Sequence, residues 1–204
     1  MKIIIARPVL DKVEAESESS LIQMIGGTSG HSLHFIPCIG STIIHDARNY
    51  LVRSSYEYGF DAILFIDADM EFPPETLMKL IEHDKPLVGV MYSSRVKESW
   101  LNAFDYNAAK NLYVRSQIQP DSGLQKVDAV GFGITLIKKE VFDAIRDPWF
   151  FYDMDFSEDI NFCRRAAQCG YQTYCDTELD IAHIGKRKYK IARVNATGGK
   201  DAKT

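Results

Sequence analysis

Residues 61–74 read DAILFIDADMEFPP, and the fold follows from how that stretch is parsed. Ala62 to Ile66 is apolar without alternation, the pattern of a strand covered on both faces in a parallel sheet. Asp67 and Asp69 arrive where that strand must end. Pro73 and Pro74 stop the extended segment, and Pro74 suits the first turn of the helix that ETLMKLIEH (75–83) predicts. Open α/β sheets bind ligands beyond the carboxyl ends of their strands. An Asp-x-Asp there sets two hard oxygen donors at the mouth of a crevice. Mg²⁺ or Mn²⁺ held by one or two carboxylates, with a substrate diphosphate completing the shell, is the chemistry it suits.

On the N-terminal side, Lys2 to Ala6 reads as a first strand ending at Arg7-Pro8. A polar helix over about 11–25 follows, closed by GGTSG (26–30). Those glycines precede a strand instead of opening a helix, so they read as a loop and not as a phosphate cradle. Residues 34–38 make a second strand. Ser41 and Thr42 then offer N-caps for a helix over 43–58 that Gly59 ends. On the other side, the helix 75–83 leads into a strand PLVGVMY (86–92). This βαβ rhythm predicts an α/β fold, Rossmann-like, with a mainly parallel central sheet flanked by helices.

Beyond Tyr92 the rhythm stops. The chain is polar and irregular to Gln125, with a hairpin predicted around PDSG (120–123). VDAVGFGITLI (127–137) is split by Gly131 and Gly133, which marks a bend or the close approach of a ligand. A helix over KKEVFDAI (138–145) precedes an aromatic cluster, Trp149 to Tyr152. Such a cluster is core, or else Trp149 stacks on a sugar in an acceptor pocket. Ser157 caps a helix opening with Glu158 and Asp159 and stopping at Gly170. Short strands at 171–175 and 179–182 end at His183, and the basic run KRKYKIAR (186–193) follows. The division expected is a single domain over 1–194, with a nucleotide-binding half (1–92) and a second half (93–194) that a group-transfer enzyme would turn to its acceptor. Residues 195–204 read as a flexible tail or a linker.

Composition narrows the class. With 204 residues, 46% hydrophobic and 25% charged, the chain can bury a sizeable core. A formal charge of −4 argues against a general nucleic-acid binder. No apolar run is long enough to span a membrane, and the N-terminus lacks the pattern of a signal peptide. Cys38, Cys163, Cys169 and Cys175 form no CxxC pair and read as reduced thiols in or near the core. A reducing compartment is therefore expected: the cytoplasm, or the host cytoplasm for a viral protein.

ILFIDADMEFPPETL with KPLVGVMY resembles the DxD region of GT-A fold glycosyltransferases of the family 2-like kind, compact members of which occur in viruses and bacteria. SEDINFCRRAAQCGYQTYCDTELDIAHIG resembles their second signature, an acidic pair opening a helix, then a strand and a His. The resemblance spans about residues 2–183, and only the two signatures are sharp. It implies a metal-dependent transfer of a hexose from a nucleoside-diphosphate sugar to a hydroxyl acceptor, such as a glycan. UDP is the commonest donor nucleotide there, so a UDP-sugar such as UDP-glucose is the expected donor. By the same resemblance Asp69 binds Mn²⁺ or Mg²⁺ directly, with His183 joining the shell, and Asp67 contacts the ribose or a metal-bound water. Ala68 lies between them in the donor-binding loop. Asp159 is the general base on the acceptor hydroxyl, and Glu158 positions it or binds acceptor. Arg7 meets the base or ribose, or else is a surface Arg at a strand end. Arg48, with Asn49 beside it, approaches the diphosphate; Gly131 lies beneath the donor sugar; Lys186 and Arg187 close over the phosphates. A nucleotidyltransferase acting on sugar phosphates is the first rival, though RPVLDKVEAE lacks the glycine-rich loop such enzymes carry after their first strand. A non-catalytic nucleotide-sugar-binding module is the second.

Overall fold

The structure, a computed structural model, describes residues 1–95, 100–153, 155–185 and 188–190. The first half runs β1 (Lys2–Val9), α1 (Ala15–Gly27), β2 (Ser32–Ile39), α2 (Ile44–Tyr58), β3 (Ala62–Ile66), β4 (Met70–Glu71), α3 (Thr76–Glu82) and β5 (Leu87–Val90). The second half adds β6 (Ala103–Asn107), β7 (Leu112–Arg115), β8 (Leu124–Val127), β9 (Ala129–Val130), β10 (Ile134–Lys138) and α4 (Lys139–Ile145). It finishes with α5 (Glu158–Gln168), β11 (Thr173–Asp176), β12 (Ala182–Ile184) and β13 (Lys188–Lys190).

A central sheet has the order β2-β1-β3-β10-β5-β11-β8. β1 lies parallel to β2 and β3, and β5 parallel to β11, while β10 and β8 run against their neighbours. The sheet is mostly parallel, as the βαβ rhythm predicts, and helices flank it. All five residues of β3 are buried, which explains the run without alternation. Successive side chains leave a strand on opposite faces. Ile63 and Phe65 therefore join the core cluster on one face, with Phe132, Phe150 and Phe162. Ala62, Leu64 and Ile66 join the other, with Leu77, Leu80 and Val88. Trp149 belongs to the first cluster: it stacks on Tyr56 at 5.6 Å, and its indole N–H donates to the Phe142 carbonyl at 2.9 Å. It is core, and the acceptor-pocket alternative falls away.

Several boundaries differ from the sequence reading. Ser41 and Thr42 do not cap α2; the cap position falls at Ile43, whose hydrocarbon side chain offers no acceptor, and the Ser41 hydroxyl donates to the Ile43 carbonyl. α1 starts at Ala15, not near Asp11. The PDSG turn closes no hairpin. β7 pairs with β6 and β8 pairs with β11, so the hairpin turns at 107–112, where Asn111 has φ 49°. The edge of β11 outcompetes a local partner for β8. Cys163 and Cys175 are buried as expected and Cys38 is partly so, but Cys169 is exposed; all four are free. Among the described residues no helix is long and apolar enough to cross a membrane.

Candidate active site

Two small features bring the distant signatures together. After β3, the Asp67 amide donates to the Gly133 carbonyl at 2.8 Å, which ties the start of the DxD turn to the segment before β10. β4 then pairs with β12, setting Met70 opposite His183, and the Ile184 amide donates to the Asp69 carbonyl at 2.7 Å. The result is His183 Nε2 at 3.3 Å from Asp69 Oδ2. His183 Nδ1 faces the Ser93 carbonyl at 3.3 Å. A carbonyl only accepts, so Nδ1 carries a proton there and Nε2 is the ring nitrogen turned toward the carboxylate. Two electron-pair donors converging on one point suit a cation between them, and a backbone carbonyl behind the ring is how ligating histidines are commonly oriented. Among the described residues no group of three or more His, Cys, Asp or Glu side chains is arranged to hold a metal. Asp69 and His183 could supply two donors of a shell whose remaining positions phosphate and water oxygens would fill, as is usual for Mg²⁺ and Mn²⁺ on diphosphates.

The two DxD carboxylates differ in character. Burial alone would raise the pKa of Asp69, but the bond and charge of His183, with Arg95, hold it below the ordinary value. Burial, with the charge of Asp69, pushes Asp67 up despite Arg48. Asp69 is therefore the better anion of the pair.

A cavity of about 360 Å³ opens at the carboxyl ends of β1, β2 and β3. Its walls are residues 8–12 and 14, Ser41 with Thr42 and Ile44, the 67–69 turn, Arg95, and Ile184 with Gly185. That volume falls in the range of small-molecule sites. The Ala68 side of the turn lines the cavity, and its carbonyl accepts the Glu14 amide at 3.0 Å, anchoring the start of α1 to the DxD turn.

Behind the turn lies an ionic tie. Arg48, on α2, is 3% exposed; Nη1 donates to Glu158 Oε1 at 2.8 Å and Nη2 to Asp67 Oδ1 at 3.2 Å. Its guanidinium carbon lies 5.4 Å from the centre of the Phe132 ring and 6.0 Å from that of Phe65. Burial opposes its charge, but Asp67, Glu158 and Asp159 outweigh that and raise its pKa. Asp159, in the first turn of α5, accepts from the Ser157 hydroxyl and from the Ile160 amide at 2.8 Å. Burial, then the charge of Glu158, raise its pKa against the pull of Arg48. That is the direction a general base needs in order to exchange a proton near neutrality.

The other predicted site residues are placed as follows. Arg7 is buried, paired with Glu18 at 2.7 Å beside Ser17, and does not line the cavity. Asn49 clamps Phe150, donating to its carbonyl at 2.6 Å and accepting from its amide at 3.0 Å. Gly131 lies against Tyr92: a methyl group there would stand 2.7 Å from Tyr92 Oη and 3.6 Å from Asp159 Oδ2. Arg48 likewise lies under the cavity, not on its wall. Lys186 and Arg187 are outside the described residues.

Two residues of the site were missed from sequence. Tyr92 accepts the Gly133 amide at 3.1 Å and meets the His183 ring edge-on at 5.4 Å. Burial and the charges of Asp67 and Asp159 raise its pKa, so the phenol stays protonated between the two signatures. The signal available was the pair of glycines, since both clear space for this ring. The second is Arg95, whose Nη1 lies 2.9 Å from Asp69 Oδ2. It sits in an irregular stretch and carried no motif.

No protein-family model matches the sequence, nor does any curated protein sequence. Solved structures do match. A197 from STIV superposes with a TM-score of 0.67 over 97% of this chain and 100% of its own, at 14% identity. GalNAc-T7, crystallised with UDP, GalNAc and Mn²⁺, gives a TM-score of 0.52 over 93% of this chain at 12% identity. S. aureus TarS residues 1–349, crystallised with UDP, gives 0.55 over 95% at 14% identity. The chain has the GT-A fold. It spans 44% of the GalNAc-T7 chain and 61% of the TarS chain, and all of A197. On the GT-A sheet the DxD turn follows β3, and the acidic pair opens α5 across from it.

Proposed function

We propose that the protein is a metal-dependent glycosyltransferase that moves a hexose from a nucleoside-diphosphate sugar to a hydroxyl acceptor. The observation that carries this is the meeting of Asp69 and His183, 3.3 Å apart, beside a cavity at the strand ends. In this reading the cavity takes the nucleoside diphosphate, with Asp69 and His183 holding Mn²⁺ or Mg²⁺ and Asp67 beside them. The cation supplies charge neutralisation for the departing diphosphate. Arg48 fixes the spacing of Asp67 and Glu158, so that the donor side and the acceptor side keep one geometry. Asp159 takes the proton of the acceptor hydroxyl, with Ser157 and the Ile160 amide orienting its carboxylate. If Asp159 stands in line with the anomeric carbon of the bound donor, displacement is direct and inverts; with no base on that axis, a front-face mechanism retains. The nucleotide crystallised with GalNAc-T7 and TarS makes UDP the nucleotide to test first; UDP-glucose, the donor the family resemblance favours, is the first sugar nucleotide.

Isothermal titration of UDP with and without Mn²⁺ is the direct test. Binding that requires Mn²⁺ and is lost in Asp69→Asn and His183→Ala is expected, with slow hydrolysis of a UDP-hexose by the wild type. Asp159→Asn should keep donor binding and lose turnover. Metal-independent binding would refute the metal site, and use of UTP with pyrophosphate release would point to a nucleotidyltransferase instead.

A further inference from the structure

Resting on the donor-site reading above, we propose that Arg95 is a built-in counter-ion for Asp69, one that a divalent cation must displace and that then turns to the donor diphosphate. The guanidinium approaches Asp69 Oδ2 at 2.9 Å, the same oxygen that faces His183 Nε2 at 3.3 Å. A cation bound by Asp69 and His183 would occupy the space between those groups, and a positive guanidinium cannot remain there beside it. The Arg95 side chain is 53% exposed and lines the cavity, so it can leave at little cost. Exposed ion pairs are worth little, whereas a guanidinium on a phosphate makes charge-assisted, bidentate bonds. The cavity wall on which Arg95 stands also carries Asp11, Lys12, Glu14 and Asp67, with Glu14 paired to Lys12 and Asp67 to Arg48, so a diphosphate in the cavity would be the anion of highest charge within its reach.

This arrangement makes metal and nucleotide interdependent. With no nucleotide, Arg95 competes with the cation for Asp69, and the wall offers it single carboxylates to turn to, of lower charge than a diphosphate. With nucleotide present, the displaced guanidinium gains phosphate oxygens, and the two ligands favour each other's binding. The metal alone should bind weakly, and metal with nucleotide far more tightly.

The test is Mn²⁺ titration followed by electron paramagnetic resonance, with and without saturating UDP, on the wild type, Arg95→Met and Arg95→Lys. Arg95→Met should bind Mn²⁺ alone about two- to fivefold more tightly, the scale of a partly exposed ion pair. It should bind UDP in the presence of Mn²⁺ about tenfold more weakly, the scale of a lost charge-assisted bond. Arg95→Lys should stay near the wild type for Mn²⁺ alone and fall between the two for UDP. If Arg95→Met leaves either affinity unchanged, the proposal is overturned. If the wild type binds no Mn²⁺·UDP at all, it is the donor-site reading that fails. Because Arg95 is half exposed, an unchanged denaturation midpoint is expected for both variants and separates a binding effect from misfolding.

Discussion

Replacing Arg48 with methionine keeps the length of the side chain and removes its charge, and the consequence can be sized from the contacts it leaves. Glu158 and Asp67 lose their shared partner at 2.8 and 3.2 Å. Glu158 is buried, and the Asp67 side chain is 29% exposed, so water repairs only part of the loss. Removing one partner of a buried ionic pair costs about 3–5 kcal/mol. Methionine recovers some packing against Phe65 and Phe132 but none of the attraction of a cation to their faces, which contributes about 0.5–2 kcal/mol. A loss of about 3–5 kcal/mol is therefore expected, a large share of the ~5–15 kcal/mol that holds a domain folded. Urea or guanidinium denaturation measures it. The penalty also depends on pH. Without Arg48, Asp67 loses the cation that opposes its burial, so its folded pKa rises further above the unfolded one. The folded state then binds a proton the unfolded chain does not, and the destabilisation shrinks as pH falls through that raised value. A loss below about 1 kcal/mol at neutral pH, or one that grows on acidification, would refute the ionic tie. Arg48→Lys, which reaches one carboxylate but not both in fork geometry, should fall between.

Further outcomes are as specific. Because burial and Glu158 raise the pKa of Asp159, transfer should fall on acidification at a pH above the ordinary carboxylate value. Glu158→Gln should move that limb to lower pH, and Ser157→Ala, which removes a hydroxyl donor to Asp159, should move it to higher pH; rate profiles that do not move would exclude Asp159 as the titrating base. Gly131→Ala should destabilise by about 1–3 kcal/mol, since its methyl group meets Tyr92 Oη at 2.7 Å. Combining it with Tyr92→Phe should recover part of that loss, with a coupling of at least about 0.5 kcal/mol in a double-mutant cycle by denaturation; strict additivity would show that the hydroxyl is not what Gly131 makes room for.

Local pattern and tertiary structure divide the explanation of this protein between them. The unbroken apolar run of Ala62 to Ile66 specified a strand covered on both sides, because only helices above and below a sheet can bury both faces. Prolines and carboxylates after it marked the strand end, and the acidic pair at 158–159 marked a helix start, since both signals act over a few residues. The same locality misled at PDSG, where a distant strand edge took β8, and at Ser41-Thr42, where the helix cap falls one residue past the hydroxyls, at Ile43. What pattern could not give is which side chains face one another. Arg48 carries the same local signal whether it meets a phosphate or ties Glu158 to Asp67 beneath the cavity. Tyr92 becomes part of the site only because Gly131 and Gly133 leave it room, and Arg95 only because its stretch of chain passes Asp69. Charge placement and burial arise from contacts between segments far apart in the chain, so the sequence determined the sheet and its acidic turns, and the packing of those segments alone decided what each charge touches.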